Sequence, residues 1–147
     1  MKTGTLTALE AMFQKHPVMR GGRVDRAEVN ALENAVGFAL PADYREFVEK
    51  YGGAIVGAFS VYGLRRAHAM AKNESSAWDV TKHFRSEGWP GVENWLVISS
   101  DQSGNPVGLD AAGKVWISDH DTGTINPLAA SFEDYLRKWC LKLEPVS

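Results

Sequence analysis

Residues 116–125, "WISDHDTGTI", place His120 between Asp119 and Asp121, three side chains able to hold a metal ion or pass protons. Acting on a phosphate or amide substrate, His120 would be the general base of a hydrolase with the two carboxylates beside it. The other reading is a solvated turn. Strand geometry separates the two. Side chains alternate with period two, so a strand running on from Lys114 would send Asp119 and Asp121 to the side of Val115 and Ile117. Burying two unpaired carboxylates costs as much as a whole domain's net stability. The strand is therefore expected to stop near Ser118, with residues 119–123 turning in water.

Other chemistries fail on residue type or spacing. A calcium loop needs glycine at its sixth position and glutamate at its twelfth. Counted from Asp119 those positions hold Thr124 and Ala130, and from Asp101 they hold Pro106 and Ala112. Zinc wants three or four nitrogen or sulfur donors, but His16, His68, His83 and His120 are scattered, with no HExxH and no cysteine pair. Neither a metal nor another cofactor is expected. GxSxG, the phosphate-binding loop and GxGxxG are absent, the glycines of "YGGAIVG" being wrongly spaced. Cys140, beside Trp139 on the inward side of a helix, reads as a small core residue rather than a nucleophile.

Charge is sorted along the chain although the formal net charge is only −2. Between positions 65 and 85, Arg65, Arg66, Lys72, Lys82 and Arg85 stand against Glu74 and Asp79. Between 99 and 134, Asp101, Asp110, Asp119, Asp121, Glu133 and Asp134 stand against Lys114. The basic run with Trp78 is the place to look for nucleic-acid binding, but a pI near 6.1 speaks against it, and no nucleic-acid partner is expected. Trp89, in a Gly-Trp-Pro-Gly turn at a helix end, is the tryptophan placed to show its ring at the surface.

The elements that must position these groups follow from periodicity. A chain of 147 residues with 44% hydrophobic side chains suits a single soluble domain. Its N-terminus lacks a signal-peptide pattern and no apolar run reaches membrane-spanning length, so a cytoplasmic place is expected, with no membrane partner. A lone cysteine suits a reducing compartment. After a helix around residues 6–15, Asp25 and Glu28 form a capping box for a helix carrying Val29, Leu32 and Val36, which Gly37 ends. In "LPADYREFVEKYGG", Tyr44, Phe47, Val48 and Tyr51 fall at i, i+3, i+4 and i+7 between Pro41 and a double glycine. "AIVGAFSVYGL" reads as a strand with a bulge at Gly57, and "SSAWDVTKHFRSEGWP" as a serine-capped helix. Three short strands follow, "NWLVIS", "NPVGLD" and "KVWIS", joined by turn-length links and hence antiparallel. Ser131 then caps a helix with Phe132, Leu136, Trp139 and Leu143 on one side. The class is α+β.

The succession "LPADYREFVEKYGG", "GWPGVENWLVISSDQSGNPVGLDAAGKVWISDHDTGTI" and "LAASFEDYLRKW" resembles the SUKH superfamily, the domain also found in a fungal regulator of cell-wall assembly. The resemblance covers about residues 38–143, and it is the chained order of Leu-Pro helix, Gly-Asn-Pro hairpin, Asp-His-Asp turn and Ser-Phe-Glu helix that is specific. It implies helices packed on a twisted antiparallel sheet. It also implies a protein-binding role, because bacterial members are mostly immunity proteins that bind and block polymorphic toxins, often nucleases. A cognate toxin is then the expected partner, with a hydrolase at Asp119, His120 and Asp121 or a regulatory scaffold as alternatives. Alternate hairpin turns fall at opposite ends of the strands, so the loops at Asp101 and Asp119 should share one rim, with residues 111–113 at the other. Asp101, Asp119, His120, Asp121 and the apolar anchor Trp89 are the expected partner-binding residues.

Overall fold

Helical spacing in the first third of the chain becomes three helices in a computed structural model that describes residues 1–72 and 76–146. Glu74, one of the charges counted above, lies outside the described residues. Helix α1 (Thr3–Lys15) begins a few residues before the expected start and buries Thr5, Leu9 and Phe13. Helix α2 (Arg26–Val36) opens on the Asp25–Glu28 capping box, ends at Gly37 and buries Val29 and Leu32. Helix α3 (Ala42–Tyr51) buries the four residues its spacing selects, Tyr44, Phe47, Val48 and Tyr51. Their rings join an aromatic run across three helices. Phe13 lies 4.9 Å from Tyr51, Tyr51 5.5 Å from Phe47, Phe47 5.3 Å from Phe132 and Phe132 5.1 Å from Tyr44, all tilted or edge-on. Such pairs contribute about 0.5–1.5 kcal/mol each beyond the area they bury.

Among the described residues the sheet has six antiparallel strands in sequence order: β1 (Ala54–Val56), β2 (Phe59–Val61), β3 (Leu96–Ser100), β4 (Pro106–Leu109), β5 (Val115–Asp119) and β6 (Thr124–Ala129). With the helices it makes the α+β arrangement expected. Two strands depart from the sequence reading. The bulge expected at Gly57 is a hairpin turn, Val56 pairing with Phe59 around Gly57 and Ala58. Gly57 has φ 62°, and a Cβ there would stand 2.2 Å from the carbonyl oxygen of Cys140, so the reversal requires glycine. Apolar residues on both sides of the glycine hide the turn from a pattern search. Strand β6 lies outside the three strands anticipated. Four of its six residues are exposed and it contains Pro127, so it shows no alternation; it is an edge strand, where proline costs no ladder bond.

Helix α4 (Ala77–Ser86) is capped by Ser76, whose hydroxyl accepts the Asp79 N–H at 3.1 Å. It lies against β3, and the buried Thr81 hydroxyl accepts the Val97 N–H at 2.8 Å while donating to the Ala77 carbonyl at 2.6 Å. The last helix is shorter than its apolar spacing suggests. Helix α5 (Phe132–Tyr135) passes into a π-helical turn (Leu136–Cys140), and Leu143, expected on its inward side, lies beyond it and is 39% exposed. Through the wider turn Trp139 Nε1 donates to the Leu128 carbonyl at 3.0 Å, tying the helix end to β6. Tyr135, one turn earlier, donates its hydroxyl to Ser99 Oγ at 3.0 Å. Adjacent residues of a strand face opposite sides, so Val107, on the face with Tyr135, and Gly108, under the ring of Trp95, mark the two faces of the sheet. No helix among the described residues is long and apolar enough to cross a membrane.

Candidate functional site

The Asp-His-Asp stretch is a turn. β5 ends at Asp119 and residues 120–123 reverse the chain into β6, with the Gly123 N–H donating to the Asp119 carbonyl at 2.8 Å. Asp119 Oδ1 accepts the Asp121 N–H at 2.9 Å, so this carboxylate shapes the turn. The side chains of His120 and Asp121 are 54% and 76% exposed, and His120 Nε2 lies 3.2 Å from Asp121 Oδ1.

The loop at Asp101 is built the same way. Asp101 Oδ1 accepts the N–H groups of Ser103 at 3.0 Å and Asn105 at 2.8 Å. The side chain of Asn105, nearly buried, joins the two loops. Its amide nitrogen donates to Asp101 Oδ2 at 3.0 Å, which turns its oxygen toward the neighbouring loop. That oxygen accepts the His120 backbone N–H at 3.2 Å and faces His120 Nδ1 at 2.9 Å.

Trp89 completes the group. Its ring centre lies 5.6 Å from that of His120 and 5.4 Å from that of Phe84 of α4, edge-on to both, and its Nε1 donates to Glu87 Oε1 at 3.1 Å. The ring expected to stand at the surface is half-buried against its own chain. Its position follows from the residues after it. Trp95 lies flat over β4 where Gly108 leaves room, a Cβ at 108 falling 2.3 Å from the ring, and this draws the 88–94 segment over the sheet.

All five expected residues, Asp101, Asp119, His120, Asp121 and Trp89, therefore meet at one rim. The 110–114 loop is at the opposite ends of the strands, where Asp110 accepts the N–H groups of Ala112 and Lys114, both at 2.9 Å, and the Trp116 indole at 2.9 Å. Asn105, which joins the rim, is the residue sequence reasoning missed. Residues 101–105 and 110–114 share Asp-x-x-Gly, and in both the aspartate closes its own loop, but Lys114 stands where the bridging Asn105 does, so the shared pattern marks the loops and not the bridge.

Three of the five cations of the basic run are engaged within the fold, while Lys82 and Arg85 lie 5.9 and 5.3 Å from the Trp78 ring centre. Arg65 is paired with Glu28 at 2.8 Å, Arg66 donates to the Met70 carbonyl at 2.6 Å, and Arg85 spans the carbonyls of Val92 and Trp95, both at 3.0 Å. These guanidinium groups hold loops in place. Among the described residues no three His, Cys, Asp or Glu side chains gather as a metal ion would require.

No curated protein matches the chain in sequence. The model of the SMI1/KNR4 family (SUKH-1) matches residues 23–138, a span that takes in α2, the whole sheet and both loops of the rim, and the chain belongs to that family.

Proposed function

We propose that the chain is a non-enzymatic protein-binding module, an immunity protein of the cytoplasm that binds and blocks a cognate bacterial toxin with its acidic rim. The observation that carries this reading is the Asn105 bridge, which fixes two acidic loops, far apart in sequence, as one preorganised surface with Trp89 beside them. Side chains already held in place lose little entropy when a partner covers them. Their charge speeds encounter with a basic surface, such as the nucleic-acid site of a nuclease, and selects against acidic partners. A general base works best where water is excluded, and His120 is more than half exposed, which favours the binding reading over hydrolysis.

Co-expression with the toxin encoded beside this gene is expected to give a stable complex and to rescue cells; the absence of both a complex and rescue overturns the reading. Charge is tested without disturbing the turn by combining Asp121→Lys with Asp119→Asn, since asparagine keeps the acceptor for the Asp121 N–H. The association rate is expected to fall about tenfold and to lose salt sensitivity, with unfolding unchanged. Unchanged association by that folded variant would place the interface away from the rim.

A further inference from the structure

On the face of the sheet opposite Trp95, α5 and its π turn help to wall an apolar cleft of about 320 Å³. Its walls are Phe59, Val107, Ile117, Leu128, Tyr135 and Trp139. Asp101, Gln102 and Ser103 stand at its mouth. The loop that rims the cleft is therefore the loop that Asn105 fastens to His120, and the cleft opens onto the acidic rim.

We propose that this cleft seats one aromatic side chain of a basic segment of the protein partner. The proposal rests on the binding-module reading. Size argues for a single ring, because sites for whole small molecules run from roughly 300 to 1,000 Å³ and this one is at the bottom of that range. Three aromatic walls offer a guest ring edge-to-face contacts, and Trp139 and Tyr135 are fixed by their bonds to Leu128 and Ser99, so little order is lost on filling. Charge selects the flanks of the guest. Loops 101–105 and 119–123 carry Asp101, Asp119 and Asp121 and no lysine or arginine. The cations nearby are on the helix side, Lys142 Nζ 5.9 Å from the Phe59 ring centre and Lys138 Nζ 5.5 Å from that of Trp139. A chain entering across the rim meets carboxylates first. Trp89, with its ring engaged by Phe84, His120 and Glu87, is then the support of the rim, and the anchor comes from the partner.

The test uses three capped tripeptides, Lys-Trp-Lys, Glu-Trp-Glu and Lys-Ala-Lys, titrated into the full chain by NMR. Lys-Trp-Lys is expected to shift the Ile117 and Leu128 methyls and the Trp139 indole N–H, and to bind at least about threefold tighter than Glu-Trp-Glu at low salt. Lys-Ala-Lys should move rim amides only. Ser103→Trp, at an exposed position of the mouth whose backbone bond to Asp101 survives substitution, should abolish the methyl shifts and weaken binding of the neighbouring toxin about tenfold. Unmoved cleft methyls, or equal binding of the acidic and basic peptides, overturns the proposal. So does a Ser103→Trp variant that binds the toxin as tightly as wild type, a result that leaves the binding-module reading intact. Failure of the wild-type chain to bind the toxin removes that reading instead, while the peptides still decide whether the cleft takes a cation-flanked ring.

Discussion

Three buried polar atoms show how differently this molecule treats groups of similar chemistry. The Thr81 hydroxyl is inside the protein and doubly used, accepting from Val97 and donating to Ala77. Thr81→Val keeps the shape and strands the Val97 N–H, so a loss of about 1–3 kcal/mol is expected in urea unfolding. Ser118 Oγ is also buried, yet among the described residues it has no hydrogen-bond partner. Ser118→Ala removes an unmet hydroxyl and is expected to be neutral or to stabilise by up to about 1 kcal/mol. Equal losses at the two sites would mean that neither bond pattern matters. The Cys140 thiol is the third case: burial pushes its pKa up to about 12, against the bonding to Tyr135 and the charge of Lys142, which lower it. A thiol so protonated does not attack. At pH 8 a thiol reagent is expected to label native chain at least about a hundredfold more slowly than chain unfolded in urea. Rapid labelling of the native protein would show that Cys140 is reachable and ionised, and would reopen a reactive role for it.

At the scale of elements, the β1–β2 hairpin depends on one position. Gly57→Ala would put a methyl 2.2 Å from the Cys140 carbonyl at a φ of 62°, and alanine has neither the room nor the conformation. A loss of about 2–4 kcal/mol is expected, with amide exchange accelerated first in residues 54–61 and 136–140; a wild-type-like melting curve would show that the turn has another conformation to hand. The same hairpin shows what pattern reading can reach. Amphipathic helices α2 and α3 were legible because caps and spacing agree, and the order of the β3–β5 meander followed from short links. Gly57 was legible as an irregularity but not as a reversal, since only the approach of Cys140 from the far end of the chain decides which it is. Edge strand β6 has water on most of its residues, so burial never imposed an alternation on its sequence. The shared rim of Asp101, Asp119 and Asp121 was legible from topology, because successive hairpins alternate ends; the place of Trp89 beside them, on no hairpin, was not. Nor was the fastening of the rim: Asn105 to His120 is a contact between side chains of separate loops, and no local pattern encodes it.

Over the whole molecule, the buried hydroxyls and the thiol sit where helices meet the sheet, and together they set how stability responds to pH. Tyr44 is fully buried and bonded to the Tyr62 carbonyl at 2.7 Å, and burial drives its pKa well above the ordinary 10.0. Burial raises Tyr51 too, helped by the Glu10 carboxylate its hydroxyl meets at 2.7 Å, and burial does the same to Tyr135. Each of these groups, like Cys140, is held neutral in the folded chain and released to its ordinary value on unfolding. Above that value the unfolded chain has lost protons that the folded chain keeps, so stability is complete below about pH 9 and falls as pH rises toward the folded values. On the acid side the sign reverses. Glu28 is held below its ordinary 4.5 chiefly by the hydrogen bond from Arg65, and Glu33 chiefly by the Leu40 N–H at 2.9 Å, so their contributions are present above 4.5 and fade as pH falls through the lowered values. Both carboxylates are reached by solvent, which screens them, whereas the phenols and the thiol are not. Urea midpoints measured across pH are therefore expected to be level near neutrality, to decline gently below 4.5, and to drop steeply between about pH 9 and pH 11. The double variant Tyr135→Phe, Cys140→Ala should flatten part of the alkaline limb relative to its own neutral midpoint, because two of the four proton-holding groups are gone. A wild-type profile as gentle above pH 9 as below 4.5 would contradict the packing of α3 and α5 against the sheet that keeps those groups from water.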